Sequence, residues 1–61
     1  MDKNLVRIIN QTIMESNSEV EHLTERKDCG IITKQGLINA GNLFARLSAE
    51  MYMAAGAVKD E

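Results

Sequence analysis

Apolar residues recur along this chain at alternating steps of three and four, in two runs separated by Gly30. The first run is Val6, Ile9, Ile13, Ser16, Val20, Leu23, and the second is Leu37, Ala40, Phe44, Leu47, Met51, Ala54, Val58. Such spacing places each run on one stripe of an α-helix. The pattern therefore predicts helix one over about 3–28, a turn over about 29–33 and helix two over about 34–58, within a single domain spanning 1–61.

The segment between the runs has the chemistry of a tight helix-to-helix turn. Gly30 can take the left-handed conformation that ends a helix, with Ile31 placed for the accompanying apolar contact, while Arg26 and Lys27 suit the negative end of the helix dipole. Thr33 is a natural N-cap for helix two, and Ile32 can staple onto Leu37. Gly36, in the first turn, weakens that start. Two long helices with a short link favour an antiparallel hairpin over a DNA-binding helix-turn-helix, and no basic recognition helix is present. Folding back at Ile31 and Ile32 pairs residues whose numbers sum to 63 or 64, so that Leu23 faces Ala40, Val20 faces Phe44, Ser16 faces Leu47, Ile13 faces Met51, Ile9 faces Ala54 and Val6 faces Val58. Large side chains meet small ones in most of these layers, as an interdigitated core requires.

Composition agrees with an all-α fold. Proline is absent, aromatics make up 3% of residues and hydrophobics 44%, which argues against a strand-rich barrel or a disordered tail. A 61-residue domain buries only roughly 60% of its unfolded surface and needs a further source of stability. Cys29 has no disulfide partner, and His22 is the only histidine, so neither a disulfide nor a structural zinc site supplies it. Self-association remains, and a dimeric four-helix bundle is its simplest form. A second uncharged row on helix two, Ile38, Gly41, Ala45, Ser48, Tyr52 and Ala55, is the expected dimer interface, because small residues let backbones approach closely. Asn10, Asn17 and Thr24 extend this uncharged side onto helix one.

Catalytic and metal chemistry find little support. Glu19 and His22 have the Glu-x-x-His spacing of di-iron bundles, but the residues opposite, Asn42 to Ala45, include no carboxylate. Cys29 lies near Lys27, Asp28 and Thr33, with no base to activate it, and Gly36, Gly41 and Gly56 do not form a phosphate-binding loop. No catalytic residue, metal ligand or cofactor site is assigned, and the chain is not expected to be an enzyme.

An interaction role fits better. Leu5 and Ile8 share a flank with Met53 and Ala57 at the open end of the hairpin, outside both seams, and Leu5, Ile8 and Met53 are the expected contacts to another protein. The same flank would serve a structural subunit of a larger assembly. In length and hairpin layout the chain is similar to the Rop-type plasmid copy-number regulators, which implies a dimeric four-helix bundle gripping paired RNA loops through its first helices. The likeness is architectural and rests on no shared motif. This sequence departs from it where Glu15, Glu19, Glu21 and Glu25 make helix one acidic, and the net charge is -2, so nucleic acid is disfavoured as a partner. The apolar stretch from Leu37 to Val58 is interrupted by Asn39, Asn42, Arg46 and Glu50, which disfavours a membrane span. The first residues lack a signal-peptide pattern, so a cytoplasmic location is expected.

Overall fold

The computed structural model describes residues 2–58, which form two helices and no strand. Helix α1 runs Lys3–Asp28 and α2 runs Lys34–Gly56, folded back on each other as a hairpin with extents of 47 × 16 × 16 Å. The radius of gyration is 14.5 Å, against about 10.5 Å for a compact chain of this length. A rod of this shape has much surface and little interior.

Local chemistry sets the helix ends. The Asp2 carboxylate accepts from the Asn4 amide at 2.8 Å and caps α1. At its other end the Gly30 amide donates to the Lys27 carbonyl and the Ile31 amide to the Arg26 carbonyl, with Gly30 at φ 71°. These two bonds are the Schellman arrangement, and only glycine adopts that φ without strain. Thr33 then starts α2, its hydroxyl accepting from the Gly36 amide at 3.0 Å. A Cβ on Gly36 would lie 3.0 Å from that same hydroxyl oxygen, so the glycine that weakens the helix start also makes room for its cap. Helix α2 ends at Gly56, two residues before the expected limit, with Ala57 as C-cap.

The helices meet along a line that differs from the predicted one. On α1 the half-buried positions are Leu5, Ile9, Thr12, Glu15, Ser16, Glu19 and Leu23. On α2, Ala40 and Leu47 are buried, each 4% exposed, with Gly36, Leu43, Glu50, Met51 and Ala54 half-buried around them. Of the residues assigned to the hairpin core, Val6, Ile13, Val20, Leu37, Phe44 and Val58 are instead exposed, Ile13 and Val20 to 51% and Phe44 to 37%. The expected Val20 to Phe44 layer is therefore not a buried layer of the hairpin. The reason is geometric: at 3.6 residues per turn, the centre of the apolar stripe is rotated from the line that faces the other helix by roughly 60° on α1 and roughly 40° on α2. One neighbouring helix can cover only one side of so wide a stripe.

Candidate functional site

The same rotation divides the hairpin into two unlike faces. In an antiparallel pair, positions displaced in the same angular sense on both helices emerge on one common face. Val6, Ile13 and Val20 on α1 and Leu37 and Phe44 on α2 do so, and each set repeats every seven residues. Asn10, Asn17 and Thr24 border the α1 row, and Gly41, Ser48 and Ala55 border the α2 row, so this face carries no charge between Val6 and Thr24 or between Leu37 and Ala55. Its large side chains stand beside the seam and stay 37 to 54% exposed in the hairpin.

The opposite face holds the charges that cross between the helices. Arg46 donates through Nη2 to Glu15 Oε2 at 3.2 Å and through Nη1 to Glu50 Oε1 at 3.1 Å. The Glu15 bond joins α1 to α2 and closes the seam on that side. These groups are partly solvated, so the bridges orient the helices more than they stabilise them. At the open end of the same face, Asp2, Asn4, Leu5, Ile8 and Gln11 of the first half and Glu50, Met53, Ala54 and Ala57 of the second line a groove of about 410 Å³. Its floor is apolar. Among the described residues its charged lining groups are the carboxylates of Asp2 and Glu50.

The structure thus brings Leu5, Ile8 and Met53 together in one groove, although 45 residues separate Ile8 from Met53 in sequence. Leu5 differs from the expectation in one respect, since it is half-buried and also belongs to the seam, whereas Met53 is 77% exposed. The row Ile38, Gly41, Ala45, Ser48, Tyr52, Ala55 divides into two sets. Gly41, Ser48 and Ala55 flank the uncharged face, while Ile38, Ala45 and Tyr52 lie further round α2, on the side turned away from α1, with Tyr52 79% exposed. Leu43 and Thr12 went unnoticed in the sequence because each lies in a row less apolar than its neighbour, yet they help form the seam. The signal was present as the second run of alternating four and three steps from Leu5 through Ile9, Thr12, Ser16 and Glu19 to Leu23.

Other chemistry is sparse. Among the described residues no three His, Cys, Asp or Glu side chains are grouped to hold a metal ion, and Cys29 is free and exposed at the turn. His22 is exposed, and Glu19 half-buried, on α1. Among the described residues no helix is long and apolar enough to cross a membrane. Comparison with known protein families, curated proteins and solved structures found no match to the chain. The reading of function therefore rests on these two faces.

Proposed function

We propose that this chain is a non-enzymatic adaptor or regulatory protein that works as a homodimeric four-helix bundle and binds another protein through Leu5, Ile8 and Met53. The observation that carries the binding role is the groove itself. Two apolar residues of the first helix and one of the second, distant in sequence, share an apolar floor edged by carboxylates. The chemistry that fits it is an apolar peptide segment carrying a basic side chain, the apolar part covering Ile8 and Met53 and the cation approaching Asp2 or Glu50. Burying side chains of this size contributes about 1.5 to 3 kcal/mol each before the cost of association is subtracted, which suffices for a specific contact.

Self-association is supported by the small interior. Among the described residues burial is confined to Ala40 and Leu47, each 4% exposed, while ordering each residue of the 26-residue and 23-residue helices costs about 1 to 2 kcal/mol of backbone entropy. A second copy would supply the missing burial. The acidic first helix favours a protein over RNA as the further partner.

The test is affinity capture from the source cell with the unmodified chain and with Ile8→Lys combined with Met53→Lys. The expected result is that the double variant keeps its helicity and its dimer but loses the captured protein. Unchanged capture, or a salt-sensitive shift of RNA by the unmodified chain, would overturn the protein-binding reading.

A further inference from the structure

We infer that the second copy seats on the uncharged face, with Val6, Ile13, Val20, Leu37 and Phe44 at the centre of the contact, and not on the outer side of α2 around Ile38, Ala45 and Tyr52. The inference rests on the homodimer reading and adds to it the surface by which the two copies join. Three observations carry it.

First, the direction of the apolar stripe is that of a helix with two neighbours. In a four-helix bundle each helix faces two others at roughly a right angle, so its apolar stripe is centred about 45° from either contact. The rotations found here, roughly 60° on α1 and roughly 40° on α2, bracket that value, and in both cases they turn toward the same face. The hairpin partner takes one side of each stripe, and the exposed side is left for a second pair of helices.

Second, the hairpin has more surface than a compact pair would keep. Two separate hairpins expose twice 5093 Å², against roughly 6,600 Å² for a compact protein of twice 6.8 kDa. A second copy that brought the pair to that compact surface would bury roughly 3,600 Å² in total, which is in the range of obligate homodimers.

Third, the face complements itself. Both rows repeat every seven residues, so they keep the same pitch when two copies meet, and Gly41 and Ser48 beside Phe44 leave room for an incoming ring. Each chain carries a net charge of -2, yet no charged residue lies in the rows that would meet, so two like-charged chains can close without opposing carboxylates. Because the Leu5, Ile8 and Met53 groove opens on the other face, a dimer built this way leaves both grooves accessible and pointing apart.

The experiment is an isotope-filtered NMR measurement on a mixture of labelled and unlabelled chains, which needs no substitution. Contacts between copies are expected from the Phe44 ring and from the Ile13 and Val20 methyl groups. Val20→Glu, at a position half open in the hairpin, is expected to weaken association by at least ten-fold, while Tyr52→Glu leaves it unchanged. Contacts between copies confined to Ile38 and Tyr52 would overturn the assignment of the face while leaving the dimer in place. A folded single chain with no contacts between copies would overturn the dimer and the face together. If Val20→Glu unfolds, the contacts in the unmodified mixture decide the matter alone.

Discussion

The two faces of this hairpin differ in how many large apolar side chains they expose and in how the rest of the chain treats them. On the face of Arg46, charged side chains cross from one helix to the other, and the apolar residues are gathered at one end in a groove rimmed by carboxylates. On the face of Phe44, apolar residues repeat along the whole length of both helices, with amides, hydroxyls and small side chains on their borders. The first arrangement tolerates water everywhere and offers one local contact. The second would gain stability by being covered along its length, because the exposed parts of its isoleucine, valine, leucine and phenylalanine side chains add nothing to an isolated hairpin.

A charge placed on each face should separate them most sharply. Ile13→Asp would bury two unpaired carboxylates at the centre of the proposed dimer, a cost of several kcal/mol, and should abolish both association and the cooperative melt. Gln11→Asp, only two residues away but on the groove side, should change stability by about 0.5 kcal/mol or less. Circular dichroism with sedimentation on the two variants checks the pair.

Next in size is the seam that both faces share. Leu47 is one of the two buried side chains among the described residues, and Leu47→Ala should cost about 2 to 5 kcal/mol in urea unfolding. The loss should appear as destabilised helices and dimer together, since the seam positions both rows. Phe44→Ala gives the complementary reading: its effect should be larger at concentrations where the chain associates than in any hairpin that remains monomeric, because Phe44 is still 37% exposed there.

Smaller effects belong to the turn and the bridges. Gly30→Ala forces a side chain into a backbone conformation with φ 71° and should lower stability by about 1 kcal/mol or more in thermal unfolding. Arg46→Gln removes bonds to Glu15 and Glu50 that are partly solvated, and the urea midpoint should shift by the equivalent of about 0.5 kcal/mol or less. A larger loss would mean that the charged face holds the helices together and not merely in register.

The helices and their turn were legible from local chemistry, because Gly30, Thr33 and the two apolar runs each act within a few residues. The stripes were legible too, but the helix that each part of them faces was not. Val6, Ile9, Ile13 and Leu23 read as one surface in sequence, and a hairpin uses Ile9 and Leu23 while leaving Val6 and Ile13 exposed. Periodicity fixes the angle of an apolar stripe on a helix but not how many neighbours share it. The groove was easier: Leu5, Ile8 and Met53 fall outside the apolar stripes, so once the chain was folded back their shared flank followed from helix geometry. The carboxylate rim at Asp2 and Glu50 was missed because those residues serve visible local roles, one as an N-cap and the other in an i,i+4 pair with Arg46.

The most direct test of the central claim, that the uncharged face is covered by a second copy, is sedimentation equilibrium of the unmodified chain over micromolar concentrations. The account predicts a single species of twice 6.8 kDa, with a melting temperature that rises with concentration. A folded species of 6.8 kDa whose melting temperature does not depend on concentration would contradict it.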